Sequence, residues 1–408
     1  MVNFTDLATE LVSLIFSAAQ RVSGAQDLGP SDARRPPNDS IKRQFRTALS
    51  ISQVCQRWRD VSLALPELWT SVYLTTRMCQ NPELCLQLFA RSEAFPLRLQ
   101  VSLCPPDKRR RPTNIFALIS PSTGLLDLPS VLGTDVLDRC IQLRVEGTSA
   151  NIRSTLHAFA NRCASRMLNG EGTLPLEELC VTRQTACATS MNPEPLHLSS
   201  ISPGIKYLRS SGITFAGFPQ GIMEEVVLED VCLDRANYRA LLCSSGVKKL
   251  TLRRVTLPTG LDFDDMHLPD FLQWQEHHLN QDMRLEHLEL DSIVDYARDN
   301  NDRHINFASF YKETLIPACS GTLKTLTLQN LSGLATTAFN RFMAQTEEEF
   351  GISFPNVEEV VLHNVPFEAE ANFVSNMRVA FPKYRQMKVT KMGKLELLAR
   401  RWTSCVAL

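Results

Sequence analysis

Leu285-Glu286-His287-Leu288-Glu289-Leu290-Asp291-Ser292-Ile293 is apolar at its first, fourth, sixth and ninth positions. At its centre Leu288 and Leu290 alternate with His287, Glu289 and Asp291, the period of two of a strand with one buried face. The pattern returns at Met223-Val226-Leu228-Val231, Val247-Leu250-Leu252-Val255, Leu323-Leu326-Leu328-Leu331 and Val357-Val360-Leu362-Val365. Successive strong copies start 24, 38, 38 and 34 residues apart, and weaker ones start near Cys140, Leu176, Ile205 and Tyr384. One such strand cannot bury its apolar face alone. Many stacked in parallel build a continuous core, which is the logic of a solenoid.

Helical stripes fall between the strands. They are Ile152, Leu156, Phe159, Cys163 and Met167; Tyr238, Leu241 and Leu242; Phe307, Phe310, Tyr311 and Leu315; Phe339, Phe342 and Met343; and Phe373, Met377 and Phe381. Alternating strands and helices predict an α/β fold with parallel strands. The strand positions opposite the core hold Glu225, Val227 and Glu229; Lys249, Thr251 and Arg253; His287, Glu289 and Asp291; Thr325, Thr327 and Gln329; Glu359, Val361 and His363. Such a face either recognises a protein by charge complementarity or is a plain solvated sheet surface. On the first reading Glu225, Glu229, Lys249, Arg253, His287, Glu289 and Asp291 are the client-binding candidates. Leu252 and Leu290 are expected in the core, and Arg253 and Asp291 in solvent, where truncation to alanine is nearly neutral.

The repeats resemble leucine-rich repeats of irregular length over roughly residues 95–395. Regular members carry Asn or Cys at the ninth position, which here holds Val231, Val255, Ile293, Leu331 and Val365.

The amino-terminal part reads differently. Residues 5–19 predict a helix with Leu7, Leu11, Leu14, Ile15 and Ala18 on one face, capped by Thr5 or Asp6. From Arg21 to Gln44 the periodicity vanishes among Gly24, Gly29, Pro30, Pro36 and Pro37, which predicts a flexible insertion. In the stretch ALSISQVCQRWRDVSLALPELWTSVYL, residues 48–74, Ile51, Val54, Cys55, Trp58 and Val61 predict one helix. Pro66 ends it, Leu68 and Trp69 supply a second anchor, and Val72 and Leu74 start a strand. Pro82 to Ala94 predicts a helix, and Leu97, Leu99, Val101 and Leu103 a strand. Cys104 to Asn114 predicts a loop holding the basic run Lys108-Arg109-Arg110-Arg111.

This part resembles an F-box in the form common among mushroom-forming fungi. The matching residues are Leu49-Ser50, Val54-Cys55-Gln56-Arg57-Trp58-Arg59-Asp60 and Leu65-Pro66-Glu67-Leu68-Trp69. Leu7-Ala8-Thr9-Glu10-Leu11-Val12-Ser13-Leu14-Ile15-Phe16 fits the first half, with Ala8 where proline is usual. The resemblance implies binding to the Skp-type adaptor of cullin–RING ubiquitin ligases through Leu7, Leu11, Ile15, Phe16, Val54, Cys55 and Trp58. The expected organisation is an F-box-like domain over 1–74 with a flexible insertion at 21–44. A connecting region with the basic loop follows over 75–135, and a leucine-rich-repeat-like solenoid over 136–408.

Composition is ordinary for a soluble globular protein. The 408 residues are 44% hydrophobic and 21% charged, with a net charge of −1, so no global field draws the chain to nucleic acid or an anionic membrane. No apolar run of about 18 residues is present to span a membrane. No basic residue precedes Arg21, and Asp6 and Glu10 interrupt the first apolar segment, so no secretory leader is expected. The twelve cysteines are therefore expected as thiols, with Cys55, Cys140, Cys180 and Cys232 buried. A glycine-rich phosphate loop, a zinc spacing and a nucleophile elbow are all missing from the sequence. Adjacent His277 and His278 point apart on any regular element. Catalytic residues, metal and cofactor are accordingly expected to be none.

The expectation is the substrate-recognition subunit of such a ligase, cytoplasmic or nuclear. It would hold the adaptor, and through it a cullin, at one end and a protein client on the repeats. The alternatives are an F-box and repeat scaffold outside any ligase, and an enzyme with an unrecognised site.

Overall fold

The computed structural model describes residues 7–25, 40–103, 132–184, 196–219, 223–233, 246–257, 284–295, 322–332, 354–365, 380–383 and 386–390, with 237, 241, 335–337, 339–340, 343 and 376. The chain forms two compact units, Met1–Ala188 with Ser200–Gly204, and Thr189–Ser199 with Ile205–Leu408.

The first unit opens with helices α1 (Thr9–Ala25), α2 (Ser40–Ile51) and α3 (Gln56–Leu63). In α2, Ile41, Phe45, Ala48 and Ile51 step by three and four and are all buried, while Lys42, Arg43 and Arg46 take the other side. This stripe corrects two sequence expectations. The segment Arg21 to Gln44 is helical at both ends, and only 26–39 lie outside the described residues. Nor do Ile51 to Val61 share one helix. Cys55 is the N-cap of α3, with extended backbone at φ −156° and ψ 170° and its Sγ accepting the Trp58 N–H at 3.5 Å. Residues 51, 54, 55 and 58 keep a helical spacing across a turn that breaks the helix.

On α1 the expected stripe of Leu11, Leu14, Ile15 and Ala18 does share one face. Val12 and Phe16 are buried, while Leu11, Leu14, Ile15 and Ala18 point outward. Apolar residues cover well over half of the helix, so sequence alone does not say which of their stripes its neighbours take. It also begins at Thr9, later than a cap at Thr5 or Asp6 would set it.

A 3₁₀ turn, Pro66–Trp69, has proline in its first turn and buries Leu68 and Trp69. The Trp69 indole N–H donates to the Ser62 carbonyl at 2.9 Å, and the Arg91 guanidinium lies 4.7 Å above the ring. The chain continues through β1 (Ser71–Thr75), α4 (Thr76–Cys79), α5 (Pro82–Arg91), β2 (Leu97–Ser102), α6 (Thr134–Arg139), β3 (Cys140–Gly147), α7 (Ser149–Leu168) and β4 (Glu178–Arg183). Strands β1 to β4 pair in parallel in chain order. One face is core: Val72, Leu74, Leu99, Val101, Leu143, Val145, Leu179 and Val181 are buried. Ile152, Leu156, Phe159 and Cys163 of α7 are buried too, whereas Met167, in the last turn, is exposed.

In the second unit short β5 (Leu196–His197) precedes β6 (Tyr207–Ser211), and short β7 (Phe215–Ala216) precedes β8 (Glu225–Glu229) and β9 (Lys249–Arg253). Then come β10 (Thr256–Leu257), β11 (His287–Asp291), β12 (Val294–Asp295), β13 (Thr325–Gln329), β14 (Glu359–His363) and β15 (Gln386–Thr390). Strands β6, β8, β9, β11, β13, β14 and β15 lie side by side in that order, all parallel and without register shift. The fold is thus α/β with one strand per sequence repeat. Val226, Leu228, Leu250, Leu252, Leu288, Leu290, Leu326, Leu328, Val360 and Leu362 are buried, as their alternation predicts.

Each of five strands ends at the same corner. Asp230, Arg254, Ser292, Asn330 and Asn364 follow β8, β9, β11, β13 and β14 directly, with φ of 53°, 48°, 51°, 49° and 52°. A left-handed residue turns the chain so that the ninth-position apolar side chain enters the core. The first four corner N–H groups donate to the next strand's last carbonyl: Asp230 to Arg253, Arg254 to Asp291, Ser292 to Gln329 and Asn330 to His363, at 2.8 to 3.0 Å. The corner extends the ladder by one rung, which satisfies backbone donors at the point of turning.

The helical candidates at Phe307 to Leu315, the basic run Lys108 to Arg111 and the pair His277-His278 lie outside the described residues. Among the described residues no helix is long and apolar enough to cross a membrane.

Candidate interaction surfaces

Two surfaces follow from the sequence reading. The first is the outward side of α1. Leu11, Leu14, Ile15, Ala18 and Val22 are exposed, Leu14 at 61% and Val22 at 60%. Their spacing makes one apolar stripe along the helix. Leu7 is half-buried just before α1, and its carbonyl accepts a hydrogen bond from the Arg57 guanidinium of α3. Val54 and Cys55 are exposed in the turn before α3. Phe16 and Trp58 do not belong to this surface. Phe16 is only 1% exposed, and its ring meets the half-buried Trp58 edge-on at 5.0 Å, so both serve the junction of α1 with α3. Of the seven adaptor candidates, Leu11, Ile15, Val54 and Cys55 are open to a partner. Val22 was missed because the segment after Arg21 was read as loop; its step of four from Ala18 was the available signal.

The second surface is the non-core face of the second unit's strands. Its charges largely answer one another. Lys249 pairs with Glu225 at 2.8 Å, Arg253 with Glu289 at 2.8 Å, and Arg254 with both Glu229 and Asp230. The Asp291 carboxylate accepts from Ser292 and Asn330, each at 2.8 Å. The Arg253 side chain is only 13% exposed, which corrects the expectation that it stands free in solvent. Val227 and Thr251 in the middle row are buried rather than exposed. Lys249 and His287 are the candidates that remain exposed. Arg253 reaches across to Glu289, which stands in the middle row of the neighbouring strand.

Sequence reasoning missed a third feature. Lys206, Glu224, Lys248, Glu286, Lys324 and Glu358 occupy the second position of successive repeats. The backbone N–H of each member after the first donates to the carbonyl of the one before, at 2.7 to 2.9 Å. They stack as one column of alternating charge. Lys248 pairs with Glu224 at 3.2 Å and Lys324 with Glu286 at 2.6 Å. The Lys324 ammonium holds the Glu286 carboxyl below its ordinary range. The signal was legible as Lys-Glu-Lys-Glu-Lys-Glu read down one column of the repeat.

In the first unit Asp138 accepts two hydrogen bonds from Arg162, at 2.8 and 2.5 Å, and Arg166 approaches within 3.2 Å. The Arg162 hydrogen bond, followed by that of Arg166, holds the Asp138 carboxyl below its ordinary range against the desolvation that opposes it. Burial pushes the Cys140 thiol up to about 12, which makes it unreactive. Cys180 is also buried, Cys232 is half-buried, and exposed Cys55 corrects the expectation of a buried thiol. Among the described residues no group of three His, Cys, Asp or Glu side chains could hold a metal ion.

A search of protein-family models finds no match to this sequence, and a search of curated proteins finds none.

Proposed function

We propose that the chain is an F-box protein with leucine-rich-repeat-like strands, acting as the substrate-recognition subunit of a cullin–RING ubiquitin ligase. The observation that supports it best is the apolar stripe of α1, outward while Val12 and Phe16 bury the opposite side. A leucine left in water forgoes about 1.5–3 kcal/mol of burial, so a row of them on one helix suits helix-in-groove recognition of an adaptor. The strands would carry the client, and the protein would act by raising its effective concentration near the ligase machinery. Because the strand-face charges are mostly paired with one another, client binding would exchange existing ion pairs for new ones. It would favour selectivity over affinity.

The test is co-purification with the Skp-type adaptor and a cullin. Leu11→Asp with Val54→Asp should abolish adaptor capture, since an unpaired charge in an apolar interface is costly. The melting temperature should stay unchanged, because both positions are exposed. Adaptor without cullin would point to a scaffold outside a ligase, and no adaptor at all would end the proposal.

A further inference from the structure

Cys79 and Cys85 take no part in either candidate surface. Cys79 is the last residue of α4 and Cys85 the fourth of α5, with only Gln80 and Asn81 joining the two helices. Asn81 caps α5 by accepting the Leu84 N–H at 3.2 Å, and Pro82 sets its first turn. One carbonyl of α4, that of Met78, holds this turn in place. It accepts the Asn81 N–H at 2.9 Å and the Cys85 S–H at 3.4 Å. A thiol bonded to the residue before Cys79 is thereby set beside Cys79 itself, and the two sulfurs share a hydrogen bond.

Both side chains are buried, Cys79 at 3% and Cys85 at 0% exposure. Any small apolar pair would serve the packing; two thiols in contact add a chemistry. Their hydrogen bond divides the roles. Donation from Cys79 holds the Cys85 thiol below its ordinary value against the burial that opposes it, and the same bond, with burial, pushes Cys79 up. One sulfur is readied as a nucleophile while the other keeps its proton. Access comes through the connecting segment. Residues 80–84 are all exposed and α4 is a single turn, so the pair opens by a local fluctuation rather than by unfolding of the unit.

We infer that Cys79 and Cys85 are a reversible dithiol–disulfide couple, oxidised by a low-molecular-weight disulfide such as glutathione disulfide. This goes beyond the function proposed above and stands without it. The Cys85 thiolate attacks one sulfur of glutathione disulfide, whose S–S bond breaks and releases one glutathione thiolate. The Cys79 thiolate then attacks Cys85 Sγ, which forms the Cys79–Cys85 bond and releases the second glutathione. The protein gives up two electrons and two protons, and the two glutathiones receive them.

The test equilibrates the full wild-type chain, folded or in urea, in glutathione buffers of stepped ratio. Remaining thiols are labelled with N-ethylmaleimide under denaturing conditions, and the chain is cut with trypsin. No Lys or Arg stands between Arg77 and Arg91, so both cysteines leave on one peptide. Oxidised, that peptide should carry neither label and be lighter by two hydrogens, and dithiothreitol should restore the doubly labelled form. The folded chain should reach half oxidation at a ratio of [GSH]²/[GSSG] at least about tenfold higher than the chain in urea, because the fold has already brought the sulfurs together. At that ratio Cys140, Cys163 and Cys180 should keep their labels in the folded chain. A peptide doubly labelled at every ratio, or oxidised no more readily in the folded chain than in urea, would overturn the proposal.

Discussion

Truncating Arg253 strands the Glu289 carboxylate where little water reaches it. Arg253→Ala should therefore cost about 1–2 kcal/mol, well above an ordinary surface substitution. Leu252→Ala and Leu290→Ala should cost about 2–5 kcal/mol through cavity formation. Urea unfolding of the three variants decides it; a loss at Arg253 below about 0.5 kcal/mol would mean the pair contributes nothing. Asp138 gives a pH prediction. Its folded pKa lies below the unfolded value, so its stabilisation is complete above about pH 4 and fades as pH falls through the folded pKa. The melting temperatures of wild type and Asp138→Asn should be well separated at pH 7 and converge in acid. A gap that persists at pH 2 would show that the variant disturbs packing instead. The inward facing of Leu252 and Leu290 was legible because a period of two needs only local sequence. The partner of Arg253 was not, because Glu289 lies 36 residues away and meets it only through the strand register.

At the scale of elements, α1 and α2 are tied by burial that the sequence reading placed elsewhere. Deleting Arg21 to Gln44 would remove Ile41 from the core. It would also remove Gln44, whose Oε1 accepts from Ser71 at 2.7 Å and from Arg98 at 3.1 Å. Differential scanning calorimetry should show a fall of more than about 5 °C, on the order of 1 kcal/mol or more in a chain of this size. Deleting residues 27–38 alone should cost far less, since closing a shorter loop changes little. Equal losses from the two deletions would show that the packing of Ile41 and Gln44 is unimportant. α1 was readable from apolar spacing, whereas α2 begins inside the segment expected to be a flexible insertion. The boundary between α2 and α3 was not readable, because Ser52-Gln53-Val54-Cys55 continues a helical pattern while Cys55 caps a new helix. The choice between the Leu11–Ile15 and Val12–Phe16 faces required the partner that buries one of them.

For the molecule as a whole, the nine strands expected from strong and weak repeat copies are all present, and five of them end in the same left-handed corner. The segments between them vary in length and carry weaker patterns, and from sequence only α7 was clear among the described ones. The column of alternating charge has a consequence of parity. Each repeat presents the sign opposite to its neighbours, so repeats of this protein are interchangeable only in twos. Excising residues 247–284 would seat Glu286 beside Glu224. Excising 247–322 would seat Lys324 there and keep the alternation. Like charges on adjacent strands cost a few tenths to about 1 kcal/mol and are screened by salt. The odd excision should therefore gain stability between 20 mM and 500 mM sodium chloride relative to the even one, although it removes less of the core. Thermal unfolding at both salt concentrations would read this, and equal salt responses would refute it. A gene that grows or shrinks by duplicating these units would then be filtered by an even–odd rule written in one lysine or glutamate per repeat.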